Sequence, residues 1–317
     1  MNWARWGAGA AISLLLIGCA SALPSPVRRA SWSPAGAPAA PVPATPVAVT
    51  PVALPTPARL PQATRIALEG QAIQGGLMLG NVPTGTTRLT LNAMPVRFAS
   101  DGRFVLAFDR DATATATLVA ERRDGSRVTQ AIAVAPRAWR IERLNSLPRI
   151  SQPSAEFQRR RAPELAQINA ARAKDTGAQG WRQQFLWPVT GRLSGLFGAQ
   201  RVYRGEPGSY HSGVDVARPT GTPLMAPADG VVILATQSEF TLEGRLLMID
   251  HGMGLNSAFL HMDRIDVREG DTVRRGQRLG TVGATGRATG PHMHWGMKWG
   301  DARIDPLLLA GPMPAAE

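Results

Sequence analysis

From residue 185 to residue 310 the chain is a succession of short apolar and β-branched runs separated by glycine turns, with no helical period anywhere along it. "GTPLMAPADGVVILATQ", "RLLMIDHG", "LNSAFLHM", "RIDVREGDTVRRGQRLGTVG" and "PHMHWGMKW" read as strands bounded by turn residues, so this part of the chain is confined to an antiparallel β fold. Residues 63–142 obey the same rule on a smaller scale. Apolar and polar residues alternate there, and Asn81, Asp101-Gly102 and Asp124-Gly125 are hairpin signals, which predicts a small immunoglobulin-like β-sandwich. That segment holds neither histidine nor cysteine, so no metal or nucleophile chemistry is expected of it.

Between the two β regions, residues 143–184 read as a short helical connector. Ser154 is the expected N-cap, Pro163 is expected to break the helix or begin a new first turn, and Gly177 to stop it. Leu165, Ile168 and Ala171 are expected to pack one face. The fold class is therefore mainly β: a C-terminal antiparallel domain over 185–310, preceded by the sandwich and the connector, with a tail at 311–317.

The N-terminus has a different character. Residues 1–18 carry one early arginine and an apolar run from Ala10 to Ile17, too short to span a bilayer but right for the hydrophobic part of a secretory signal. Leu16-Ile17-Gly18-Cys19 resembles a bacterial lipobox, which implies lipidation of Cys19, the one cysteine of the chain. Residues 19–62 form a Pro/Ala-rich linker with 11 prolines between positions 24 and 61. Such a segment buries nothing and lacks backbone donors, so it is expected to be a semi-stiff spacer reaching at most about 120 Å. A lipoprotein facing the periplasm is the expectation, and Ala20, which is not acidic, points to the outer membrane.

The formal charge of +12 invites a nucleic-acid partner, but its distribution argues otherwise. Residues 185–310 hold 13 Lys+Arg against 12 Asp+Glu, and the excess lies upstream. Contact with anionic envelope polymers or lipid headgroups is the better reading.

All five histidines fall between positions 211 and 294. His292 and His294 lie two apart in a strand, so they face the same side. In "SYHSGVDVA", Gly213, Val214 and Val216 disfavour helix, so His211 and Asp215 need a bent strand to converge. Imidazole nitrogen and carboxylate oxygen are ordinary Zn²⁺ donors; three of them with an open fourth position mark a catalytic site that lowers the pKa of water to about 7. Spacing alone does not say which of His292 and His294 is the donor.

Residues 187–309, about two-fifths of the chain, resemble the LytM-type, lysostaphin-like zinc endopeptidases of family M23. The resemblance is carried by "YHSGVDVARPTGTPLMAPADGVV", "IDHGMG", "FLHM", "VREGDTVRRGQRLGTVGATGRATGPHMHWGM" and "DARIDPLLL". It implies that His211, Asp215 and His294 are zinc ligands and that His261 and His292 are the two catalytic histidines outside the metal sphere. His251 matches a turn position read as structural, and Phe259 replaces a tyrosine of many members, so a hydroxyl is missing there. The implied activity is zinc-dependent hydrolysis of peptide cross-links in peptidoglycan, most simply a D,D-bond of a Gram-negative wall. The alternative is a non-enzymatic LytM-domain regulator that activates cell-wall amidases; such relatives have lost metal ligands, whereas this sequence keeps them all. A lipoyl-type carrier would need a lysine at a tight turn, which neither Lys174 nor Lys298 provides, and Ser212 lacks the partners of a serine peptidase.

The leader generates the first test. Cys19→Ser is expected to move the protein out of the membrane fraction or to block its processing, read by fractionation and mass spectrometry; unchanged fractionation and processing would refute the lipobox.

Overall fold

A computed structural model describes residues 64–145 and 154–314. The expected signal segment, Cys19 and the proline-rich spacer lie outside the described residues.

Seven strands of the N-terminal part form two antiparallel sheets. One contains Ala67–Gly70, Leu77–Asn81 and Arg103–Ala107; the other orders Met94–Val96, Thr86–Leu91, Thr115–Arg122 and Arg127–Ala133. Strict alternation is visible along Thr115–Arg122, where Ala116, Leu118 and Ala120 are buried while Thr115 and Thr117 are exposed. These inward residues close on Phe104, Leu106 and Leu89, each nearly devoid of solvent contact. Asp124-Gly125 makes its hairpin as expected: Gly125 takes φ +81°, and the Asp124 carboxylate accepts from the Ser126 amide at 3.0 Å. Asn81 does not turn the chain, because it ends the Leu77–Asn81 strand in register with Arg103. A further hairpin turns instead at Asn92-Ala93, both at positive φ.

The edge between the two β regions is not clean. Ile141–Leu144 pairs in parallel with Gln200–Tyr203, so the expected boundary at 142/143 falls inside a strand. Arg110, almost fully buried, donates from Nε to the Gly198 carbonyl at 3.1 Å, and Arg137 pairs with Asp305 at 2.8 Å.

The connector is one helix, Ala155–Arg172, capped by Ser154 Oγ, which accepts from the Phe157 amide at 3.1 Å. Pro163 does not break it. Proline forfeits one intrahelical bond, here to Arg159 on the exposed side, while contacts on both sides of it clamp the helix down. Arg161 makes a forked pair with Glu243 at 2.5 and 2.7 Å; Glu164 accepts from the Thr241 amide at 2.7 Å and its hydroxyl at 2.6 Å. The packed seam therefore holds Glu164, Ile168 and Ala171, and Leu165 is exposed, contrary to expectation. The helix ends at Arg172, five residues before Gly177.

The C-terminal sheet runs Thr272–Val273, Gly230–Ala235, Arg245–Gly252, Leu255–Met262, His292–Trp299, Gly213–Ala217 and Arg192–Gly195, with Ala302–Ile304 also paired to His292–Trp299. Its two faces differ. On one, Val214, Val216, Met293, Trp295, Phe259, Leu247 and Ile249 form the main core, all at 0% exposure. On the other, Leu246, Met248 and Ala258 pack against Ile168 and Ala171 of the helix.

Glu164 is the test of that docking. Glu164→Ala leaves the Thr241 amide and Arg161 short of an acceptor and is expected to cost about 1–3 kcal/mol in chemical denaturation. Burial opposes ionisation of Glu164, but the Thr241 hydrogen bonds and Arg161 outweigh it and hold the carboxyl below its ordinary value. A depressed carboxyl stabilises fully above its unfolded pKa and loses that contribution as pH falls through the folded one. The deficit of Glu164→Ala is thus expected to be full near neutrality and to shrink on acidification below the ordinary glutamate range; a deficit independent of pH would contradict it.

Candidate metal centre

Antiparallel register sets Asp215 directly opposite His294 on the face away from the main core. His211 lies just before the strand, held by two backbone bonds of 2.8 Å: its amide donates to the Ala199 carbonyl, and its carbonyl accepts from the Gly198 amide. The chain bends at Ser212 and brings three atoms together: His211 Nε2 is 3.0 Å from Asp215 Oδ1 and 3.0 Å from His294 Nδ1, which is 2.9 Å from Asp215 Oδ1. Among the described residues this is a group able to hold a metal ion.

The chemistry of the set asks for a positive charge at its centre. His211 Nδ1 lies 3.0 Å from the Leu196 carbonyl, which only accepts, so Nδ1 carries the proton and Nε2 presents a lone pair. A nitrogen lone pair and a carboxylate oxygen at 3.0 Å repel unless a proton or a cation lies between them. Burial works against charge at both residues, yet the hydrogen bond between them raises His211 and, together with His294, holds Asp215 well below the usual carboxylate range. Burial dominates at His294 and pushes it down, toward the neutral form that ligates metals. The three residues fit a divalent cation of the zinc type.

Two more imidazoles stand beside them. His292 Nε2 is 3.8 Å from Asp215 Oδ1, and the rings of His261 and His292 are 4.8 Å apart. Each is fixed by its other nitrogen: His261 Nδ1 donates to the Thr285 carbonyl and His292 Nδ1 to the Gly290 carbonyl, both at 2.8 Å. His261 reaches this side through an irregularity. Along Leu255–Met262 the pairing shifts between Phe259 and Met262, and His261 sits there at φ +63°, a bulge that turns its ring onto the face of His294. Burial pushes His261 down to about 4, so its ring is neutral at neutral pH.

His251 is fully buried, with Nδ1 2.8 Å from the Asp229 carbonyl and Nε2 2.8 Å from Ser257 Oγ, in agreement with a structural role. Phe259 stacks on Trp295 in the main core at 6.5 Å, so the hydroxyl absent there takes nothing from the metal face. The Tyr210 hydroxyl donates to Asp109 at 2.9 Å and accepts from Arg303 at 3.2 Å. Two glycines let the backbone approach the donors closely. A Cβ on Gly195 would lie 2.2 Å from Asp215 Oδ2, and one on Gly213 would lie 2.4 Å from the Trp295 carbonyl oxygen and 2.8 Å from His294 Nε2. The glycines themselves were visible in "RLSG" and "HSGVD", but the approach they permit was not.

Comparison with known proteins agrees with this geometry. The profile of Peptidase family M23 matches residues 209–306. A crystal structure described as a peptidase M23 from Pseudomonas aeruginosa is 31% identical, with a TM-score of 0.59, and the match covers 76% of this chain and 96% of that one. The chain belongs to peptidase family M23. Among curated proteins, the peptidoglycan DD-endopeptidase ShyA of Vibrio cholerae is 42% identical over 85 residues, 27% of this chain and 19% of that protein. The DD-carboxypeptidase/endopeptidase Mpg of Neisseria meningitidis is 38% identical over 104 residues, 33% and 24% respectively. The chain thus spans about a fifth to a quarter of the length of these curated relatives. The M23 match contains all five histidines and Asp215, while Gly195 lies before it.

In this M23 peptidase, Gly195→Ala is expected to push the Asp215 carboxylate aside and weaken metal affinity by at least about tenfold, a loss typical of disturbing the shell that orients a ligand. Competition with a chromophoric chelator reads it, and unchanged affinity would show that the close approach at Gly195 does not position the donor.

Proposed function

We propose that the chain is a zinc-dependent endopeptidase that hydrolyses peptide cross-links of peptidoglycan. The observation that carries this reading is the convergence of His211, Asp215 and His294 on one sheet face beside two further histidines whose Nδ1 atoms are tied to backbone carbonyls. His211, Asp215 and His294 would hold the zinc, which when bound acts as a Lewis acid and brings the pKa of water down to about 7.

The chain's own groups handle the protons. His261 donates through Nδ1 to Thr285, which leaves the Nε2 lone pair free to accept a proton from the attacking water. The protonated ring then passes that proton to the leaving amine. His292, pinned to Gly290 through Nδ1, keeps its Nε2 lone pair close to Asp215, where it accepts a hydrogen bond from water and orients it, and it supports the developing oxyanion only once Nε2 is protonated. The relatives named as DD-endopeptidases support a D,D-bond as the one cut. Retention of all three donors and both flanking histidines favours hydrolysis over a regulator that activates amidases. The N-terminal sequence supports a lipid anchor at Cys19 and work in the periplasm, and the Cys19→Ser variant tests both.

Digestion of purified peptidoglycan of known chemistry, with the new amine and carboxyl ends identified by mass spectrometry, is expected to show a cleaved cross-link. His294→Ala is expected to lose the metal. His292→Ala, compared at saturating zinc, is expected to keep it and to hydrolyse the cross-link at least about a hundredfold more slowly, as loss of a positioned acid or base does. Metal-free His292→Ala that cannot be reloaded, alongside a His294→Ala that keeps zinc and activity, would reverse the two roles.

A further inference from the structure

Beyond His294 the same strand continues across the same face through Gly296 and Lys298. A cavity of about 110 Å³ lies there, and its lining includes His294, Gly296, Lys298, Arg303, Glu243 and, from the last turn of the connector helix, Arg172. Three cations therefore meet one carboxylate. That carboxylate is already committed, because Glu243 holds the forked pair with Arg161.

The cations are only weakly partnered. Arg172 Nε is buried without a hydrogen bond, and the carboxylates that attract Arg172, Glu243 and Asp301, are not within ion-pair distance of it. Lys298 Nζ is 3.8 Å from Asp301, whose side chain is fully exposed and screened by water. Arg303 donates to the neutral Tyr210 hydroxyl at 3.2 Å. Asp109, the other nearby carboxylate, accepts from Tyr210 and from the Arg303 amide instead of from a guanidinium. Burial pushes both Arg172 and Lys298 down, and the neighbouring guanidiniums, Arg303 for the first and Arg172 for the second, push further, outweighing the pull of Glu243 and Asp301 on Arg172 and of Asp301 and Asp109 on Lys298. Helix-end carbonyls favour a cation at Arg172, but its buried Nε bonds to none of them. Like charges drawn together in a partly dry cavity cost free energy unless an anion joins them.

We propose that Arg172, Lys298 and Arg303 bind a carboxylate of the substrate peptide. The proposal rests on the peptidase reading and adds to it a preference for acidic peptides. Four residues of strand separate His294 from Lys298, about 13 Å, a span that an extended peptide covers with about four residues. Gly296 leaves the floor between them without a side chain, although a Cβ there would meet nothing closer than 3.5 Å. The recognised carboxylate thus lies a few residues along the peptide from the bond that is cut, and the connector supplies one of the groups that read it.

The full chain is tested on two cross-linked stem peptides, one with free carboxylates and one with the same groups amidated. The wild-type protein is expected to prefer the free acid in kcat/KM by at least about tenfold, the size of a charge-assisted contact. Arg172→Met and Lys298→Met are each expected to bring the ratio near one through KM, and Arg172→Lys to restore part of it. A wild-type ratio near one, a ratio kept in both Met variants, or an equal fall on both peptides would overturn the proposal. If the wild-type protein cuts neither peptide, the peptidase reading fails, and calorimetric binding of the same peptides then decides the pocket. Tighter binding of the acid that is lost in Arg172→Met upholds it, and equal binding of acid and amide overturns it.

Discussion

The pairing of Gly213–Ala217 with His292–Trp299, in the register that sets Asp215 against His294, is the constraint on which the site depends. The main core enforces it. Val214, Val216, Met293 and Trp295 occupy the alternate positions and are fully buried on the opposite face. A slip of one residue on either strand would carry a donor into that core and expose an apolar side chain in its place, so register is fixed by burial and the donor pair follows from it. Function is here a by-product of packing on the other side of the same sheet.

A second regularity concerns the imidazoles. His211, His261 and His292 each give the Nδ1 proton to a backbone carbonyl, of Leu196, Thr285 and Gly290 respectively. Because a carbonyl only accepts, each ring is held in one tautomer with Nε2 free. His294 is turned the other way, offering Nδ1 to Asp215 and His211. The bulge at His261 serves the same end: a non-glycine residue at positive φ costs roughly 1–3 kcal/mol, and the surrounding strands maintain it.

Much of this was legible in the sequence. Alternation and glycine turns gave the β class, and the crowding of five histidines into 84 consecutive positions, 211 to 294, pointed to a site there, while the assignment of each histidine came from the resemblance to the M23 endopeptidases. Burial could not be read along the connector, because Glu164 is inside only through its bonds to Thr241 and Arg161, partners that a local pattern does not contain. Pro163 misled for a similar reason, since long-range ion pairs hold the helix through it. Asn81 carried a turn residue's chemistry in a strand's place, and tertiary pairing with Arg103 overrode it. Carbonyl partners of the histidines, and the room made by Gly195 and Gly213, belong to the folded backbone alone.

On the proposed reading the five histidines divide into three roles, with two able to join Asp215 in holding a metal, two standing beside them, and His251 buried against Ser257. X-ray absorption at the zinc edge of the purified, zinc-loaded protein tests that division most directly. The expected result is a zinc site with two imidazole ligands and the remaining donors oxygen. A third imidazole on the metal, or a protein that takes up no zinc, would contradict it.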